Sequence, residues 1–295
     1  MTKSTGSRTV SLRIPSRWSF SIHLWVFSMR KKVVCFCCLV LFHYGPVAAQ
    51  SPYQMRRTTD LALFGSGLAT SFAAILLDTG VKPLTVEEIE ALDPKDVNGF
   101  DRPAIENYSE SLALTSDGVL AASLLSPMAL LLGSQRVRSD FGVVSVMYFQ
   151  TLMLANATTL IAKGAAQRTR PYVYNPDVPL QKKTTSTARK SFFSGHASNA
   201  FASGVFFAVV YSDYFPRSKW KPVVWVGSLS AASVVSVLRV QSGKHFPTDV
   251  LVGAGVGGAI GFLVPYLHRT RKGGGVSVLP LFQSGASGVA LTCRF

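Results

Sequence analysis

The chain has 295 residues, 48% of them hydrophobic and only 15% charged, with 30 Lys and Arg against 15 Asp and Glu. A soluble domain of ordinary composition carries about 25% charged residues, so little of this surface is built for water, and the apolar content excludes a disordered chain. The net charge of +15 would suit a nucleic-acid partner if it covered one soluble face. Instead it is clustered: residues 1–32 hold seven positives and no acid, and residues 163–190 hold seven against Asp177 alone. Long stretches without any charge separate the clusters, which is the charge map of a membrane protein.

In chain order, Arg30-Lys31-Lys32 precede an apolar run over 33–41, and Val47-Ala48-Ala49 places small residues before Gln50. This reads as a signal sequence within an N-terminal extension, 1–49. An apolar run of about 13 residues is short for a spanning anchor. Cys35, Cys37 and Cys38 all lie in that run, with Cys293 far away, so the cysteines have neither zinc-ligand spacing nor an obvious disulfide framework.

Six later segments have the length and freedom from charge of membrane helices: 61–77, 118–133, 141–162, 197–212, 222–238 and 250–267. They are rich in Gly, Ala and Ser, which let helices approach closely in a bilayer. The fold expected is therefore all-α, a six-helix multi-span bundle. Residues 50–110 would hold the first apolar helix and an acidic loop, 111–272 a helical core, and 273–295 a tail. Short alternation around 285–288 makes that tail a small β-like hairpin.

The loops sort by sign. Arg136 and Arg138, then Arg217, Lys219 and Lys221, then Arg269, Arg271 and Lys272 mark alternate connections as cytoplasmic. The acidic loop (Glu87, Glu88, Glu90, Asp93, Asp96) and the 163–196 and 239–249 loops fall on the outer face. A cleaved signal would start the mature chain on that outer face, so either 61–77 does not cross fully or the leader is not translocated.

Of five histidines, only His196 and His245 lie in loops on the outer face away from span ends crowded with cations. His245 stands four residues before Asp249, the only acid in 214–295. If a helix begins near Pro247, that spacing brings carboxylate and imidazole together. The carboxylate would orient one ring nitrogen and leave the other able to attack an electrophile. An interfacial ion pair explains the same two residues equally well. Lys163, Arg170 and Arg239 tip the balance, because each ends a span on the same face and together they suit phosphate oxygens. Ser194-Gly195-His196 opens another span; Gly195 lets the backbone approach an anion, the first-turn amides face it, and the Ser194 hydroxyl adds a donor.

These residues form a three-part signature: Lys163, six residues, Arg170-Pro171; Ser194-Gly195-His196; Arg239, five residues, His245, three residues, Asp249. The signature resembles that of the type 2 phosphatidic acid phosphatase superfamily, which also contains bacterial non-specific acid phosphatases and vanadium haloperoxidases. The likeness covers roughly 110–270, with Phe193 where proline is usual and Leu238 where serine is usual. It implies a phosphoric ester hydrolase that needs no metal and no cofactor, with a phosphatase/haloperoxidase-type core. His245 would be the nucleophile, Asp249 its orienting carboxylate, and His196 the acid and then the base. Lys163, Arg170, Arg239, Ser194 and Gly195 would hold the phosphoryl group. The partner implied is a phosphorylated lipid in the membrane rather than nucleic acid, with the site on the periplasmic face of a bacterial-type inner membrane. Alternatives with the same residues are a soluble periplasmic acid phosphatase, a vanadium haloperoxidase, or a non-catalytic membrane protein. Tyr172, Tyr174 and the basic run 182–190 are candidate headgroup contacts.

Overall fold

A computed structural model describes residues 51–270 and, as backbone, 276–283 and 286–293. The leader, with its cleavage point, lies outside the described residues. Among those described, six helices are 20 residues or longer: α1 (Arg57–Thr79), α2 (Glu110–Gly133), α3 (Phe141–Ala166), α4 (Gly195–Tyr214), α5 (Lys221–Gln241) and α6 (Pro247–His268). Each covers one of the segments expected from the sequence.

Five of them, all but α4, are long and apolar enough to cross a membrane. They turn large apolar side chains outward, among them Leu68 and Phe72 of α1, Leu114 and Leu125 of α2, Val226 of α5 and Leu251 of α6. Water would charge heavily for such a surface, whereas lipid does not. The chain is a multi-pass membrane protein. Helix α4 falls outside that set because it is the central post, packed by α2, α3, α5 and α6. Most of its residues are buried, Ser198, Asn199 and Ser203 among them. Protein rather than lipid surrounds it, so its sequence tolerates polar side chains that an outer helix could not carry.

Helices α4 and α6 meet at backbone distance. A Cβ on Gly253, Gly257 or Gly261 would lie 2.6, 2.0 or 2.3 Å from the carbonyl oxygens of Ser194, Ser198 and Ala202. Only glycine fits at these four-residue intervals, and the stripe sets the depth at which the start of α6 meets the start of α4.

Helix α1 lies along α3 for its full length. At one end Tyr53 bridges to Arg269, and at the other Lys190 pairs with Asp78 at 2.5 Å. The helix holding segment 61–77 therefore runs from one pole of the described bundle to the other. The ends carrying Arg136, Arg138, Arg217, Lys219 and Arg269 gather at one pole, where Arg136 donates to the Tyr214 carbonyl and Arg269 forks onto Asp213 at 2.8 and 3.1 Å. The opposite pole receives the ends bearing Lys163, His196, Arg239 and His245.

Beyond α6 the backbone of β1 (Val276–Gln283) pairs antiparallel with β2 (Ala286–Cys293), from Val276 opposite Cys293 to Gln283 opposite Ala286. Ala286, Ser287 and Gly288, which the sequence pattern placed around the reversal, belong to the second strand.

Candidate active site

The site pole is built from helix termini. Lys163 ends α3, Ser194 caps α4, Arg239 lies in the last turn of α5, and Asp249 lies in the first turn of α6. The tight link from α5 to α6 makes this compact. The amides of Lys244 and His245 both donate to the Arg239 carbonyl, at 3.1 and 3.2 Å. Gly243 makes the turn at φ +70°, and a Cβ there would lie 2.0 Å from the Asn107 carbonyl oxygen. Left-handed backbone and close approach both demand glycine.

His245 is buried. Its Nδ1 lies 2.8 Å from the Ser191 carbonyl oxygen, an atom that can only accept, so Nδ1 carries the hydrogen and Nε2 is left with its lone pair. Asp249 Oδ2 stands 3.7 Å from Nδ1, beyond hydrogen-bond range. The expected carboxylate–imidazole pair is thus close but indirect. Asp249 accepts instead from Ser191 Oγ at 2.5 Å, from the Phe246 amide at 2.9 Å and from Arg168 Nη1 at 2.6 Å. It pins the segment that supplies the carbonyl, and its negative charge stands behind the ring. Burial, followed by the positive charges of Arg170, Lys163 and Arg239, holds the His245 imidazole well below its ordinary pKa of 6.5. A neutral ring with Nε2 unprotonated is the form a nucleophile needs.

Lys163 and Arg170 are held by carbonyls, which fix their positions without neutralising them. Lys163 Nζ donates to the Lys190 carbonyl at 2.6 Å, while Arg170 donates to those of Thr187 and Lys244 at 2.8 and 3.1 Å. Arg239 is 6% exposed; its Nη1 donates to Ser116 Oγ at 3.1 Å, and its Nε is buried with no partner among the described residues. Burial and the charges of Arg170 and Arg239 also lower the Lys244 pKa. Ser194 Oγ accepts from the Ala197 amide at 3.4 Å as an N-cap, and its hydroxyl keeps a hydrogen to give.

Three carboxylate-linked contacts add residues that the motif spacing did not single out. Asp117 Oδ1 is 2.7 Å from His196 Nε2 and 3.3 Å from Arg239 Nη1. Arg168 bridges Asp249 to the buried Asp101 at 2.6 and 2.7 Å, with its guanidinium 4.1 Å above the Phe246 ring. Asp101 also accepts from the Thr248 amide and hydroxyl at 2.9 and 2.6 Å. Burial acts against its charge, but the bonds from Arg168 and Thr248 outweigh it and keep this carboxyl below the usual range. The 80–109 loop is thereby tied to the start of α6. Asp117 could have been found as the lone acid in 111–139, sitting at the site end of a span.

The proposed headgroup contacts take other roles. Tyr172 is buried with Leu84, Val173, Val178 and Ala188. Lys182 pairs with Glu110, Arg189 with Glu88 and Lys190 with Asp78, while buried Lys183 donates to the Asn175 carbonyl. That basic run fastens the loop, with Lys182 and its partner Glu110 still exposed at the surface.

Residues 145–272 match the PAP2 superfamily. The phosphatidylglycerophosphatase B of Bacillus subtilis is 30% identical over 148 residues, which cover 49% of this chain and 68% of that protein. The chain belongs to the PAP2 superfamily. A probable diacylglycerol pyrophosphate phosphatase 1 of Schizosaccharomyces pombe is 35% identical over 97 residues, 31% of this chain and 35% of that protein. The chain thus spans about a third of that relative's length. The crystal structure of a transmembrane PAP2-type phosphatidylglycerolphosphate phosphatase from Bacillus subtilis aligns with a TM-score of 0.44 at 23% identity, covering 70% of this chain and 94% of that one.

Proposed function

We propose that the chain is a membrane phosphatase that hydrolyses a phosphate monoester or diphosphate of a lipid through a phosphohistidine. The observation that carries the reading is a bare imidazole nitrogen on buried His245 within a ring of cations, beside an unsatisfied donor on Arg239. A phosphoryl oxygen is the acceptor such a donor lacks.

His245 Nε2 attacks phosphorus, and the bond from phosphorus to the leaving oxygen breaks as His196 delivers a proton to that oxygen. His196 then takes a proton from water, whose oxygen attacks the phosphohistidine and breaks the P–N bond. Lys163, Arg170 and Arg239, with Ser194 and the Gly195 amide, hold the phosphoryl oxygens and stabilise the charge that grows on them. Asp249 positions Ser191 and, through it, His245. Residues 111–272 act as the catalytic core. The cation-rich pole opposite the site supports an orientation with that pole in the cytoplasm and the site on the outer face.

Relatives named for phosphatidylglycerophosphate and diacylglycerol pyrophosphate support a lipid substrate. A phosphate-release panel tests this: phosphatidic acid, a polyprenyl diphosphate, a lipid A phosphate and a soluble ester, each with chelator and with vanadate. Chelator-resistant, vanadate-sensitive release from a lipid is expected. Turnover by His245→Ala, or strict dependence on a divalent metal, overturns the mechanism.

A further inference from the structure

The backbone of Lys244 is tied to both arginines of the phosphate site. Its carbonyl accepts from Arg170 Nη1 and its amide donates to the Arg239 carbonyl, both at 3.1 Å. The next residue is His245, its Cα about 3.8 Å further along the chain. Resting on the lipid-phosphatase reading above, we infer that the Lys244 ammonium binds a second phosphate of the substrate headgroup and so selects lipids that carry two phosphates over lipids that carry one.

The side chain is the first argument. Lys163, Lys182, Lys183 and Lys190 each donate to a carbonyl or a carboxylate. Lys244 differs: among the described residues no carboxylate pairs with it, and its Nζ rests 5.0 Å from the centre of the Tyr172 ring. An aromatic face seats an ammonium without neutralising it, and Tyr172 is itself buried in the loop core. Lys244 is half-buried. Its ammonium feels Arg170 and Arg239 on the site side, and Glu110 and Lys182 at the exposed rim. It therefore stands where a headgroup passes from the rim to His245.

Charge is the second. Lys163, Arg170 and Arg239 already face the phosphoryl group that His245 attacks, and Asp117 offsets part of the Arg239 charge. A phosphate monoester brings about −1.5 to −2 at pH 7, which those cations match without Lys244. A further ammonium, partly desolvated and pressed by two guanidiniums, is unfavourable unless an anion meets it there. A second phosphate is that anion, bonded directly to the first in a diphosphate or set across a glycerol. In a diphosphate, the bond from the terminal phosphorus to the bridging oxygen breaks and its electron pair stays on that oxygen. The departing lipid monophosphate thus gains negative charge, which Lys244 stabilises.

The test compares kcat/KM on diacylglycerol pyrophosphate, phosphatidylglycerophosphate and phosphatidic acid in mixed micelles. In Lys244→Gln, kcat/KM for at least one two-phosphate lipid should fall about tenfold further than that for phosphatidic acid, as expected for a lost charge-assisted hydrogen bond. The lipid that falls shows whether the second phosphate is bonded directly or across glycerol. Lys244→Arg keeps the charge and should restore most of the selectivity. Equal losses on all three lipids, no loss on any, or an arginine variant as unselective as the glutamine variant overturn the assignment. A wild-type protein inactive on every lipid phosphate instead overturns the underlying reading. Should the variants misfold, the wild type is acetylated in the presence of methylenediphosphonate or of methylphosphonate, and the modified lysines are mapped by mass spectrometry. Stronger protection of Lys244 by the diphosphonate supports the assignment, and equal labelling of Lys244 under both overturns it.

Discussion

Asp117 Oδ1 reaches His196 Nε2 at 2.7 Å from the neighbouring helix, and the same oxygen takes a bond from Arg239. One carboxylate thus orients the proposed acid–base imidazole and occupies one face of a phosphate-binding guanidinium. Orientation helps turnover, while negative charge beside the cations repels a phosphate dianion. Asp117→Asn separates the two effects, since the amide keeps the shape and loses the charge. Vanadate should bind roughly tenfold more tightly, in line with a unit charge a few ångströms away in a partly screened site. Turnover should fall by one to two orders of magnitude, as expected for a mispositioned acid–base group. Inhibition constants and kcat measured on one preparation check both, and a variant with weaker vanadate binding contradicts the assigned charge balance.

The His245 imidazole, held neutral by burial and by the cations around it, makes stability depend on pH. Below 6.5 the unfolded chain binds a proton at this ring and the folded chain does not. Folding is then progressively disfavoured as pH falls from 6.5 toward the lower folded-state pKa, by at most about 1.4 kcal/mol per pH unit. His245→Gln removes the titration. Its Tm in detergent should decline less than that of the wild type between pH 7 and pH 5. Parallel declines would mean that His245 titrates normally in the folded protein.

Arg168 joins two carboxylates from distant segments, Asp101 of the 80–109 loop and Asp249 of α6. Both carboxylates are buried, so removing their common partner leaves uncompensated charge, a change that costs about 3 to 5 kcal/mol in comparable sites. Arg168→Ala should lower thermal stability strongly and abolish activity. Arg168→Lys keeps the charge but cannot place two nitrogens on two acids, and should fall between. A double substitution with Asp101→Asn should recover part of the stability lost in Arg168→Ala. Its failure to do so would show that the Asp101 charge is not what the arginine compensates.

The distribution of roles within Arg168-Thr169-Arg170 shows where sequence stops informing. Two arginines two residues apart are equivalent by composition, and family spacing singles out only Arg170. The structure sends Arg170 to backbone carbonyls beside His245, and Arg168 inward to Asp249. The spans were legible because a bilayer forces long uncharged stretches, and the phosphate cluster was legible because its members end those spans on one face. Asp101 and Ser191 were hidden because the residues that tie them to the site, Arg168 and His245, lie 67 and 54 residues away. No local periodicity encodes such pairs. The role of Asp249 also needed coordinates: i,i+4 spacing places it near His245, but only the fold shows Ser191 in between.

The two poles of the bundle predict opposite exposure. Arg136, Arg138, Arg217, Lys219 and Arg269 share the end away from His245, and cationic loops are retained in the cytoplasm. If α1 crosses fully, the segment before Arg57 enters from that same side, and a leader that delivered this end outside would reverse both poles. In a background with native cysteines replaced by serine, Glu87→Cys tests the site pole and Ser218→Cys the other; Glu87 lies in the short helix Val86–Glu90 between α1 and α2, and Ser218 between α4 and α5. A membrane-impermeant maleimide added to intact cells, or to spheroplasts where an outer membrane is present, should label Glu87→Cys alone. Ser218→Cys should react only after the membrane is opened. The reverse pattern would place the phosphate site in the cytoplasm and show that a translocated leader overrides the cation count.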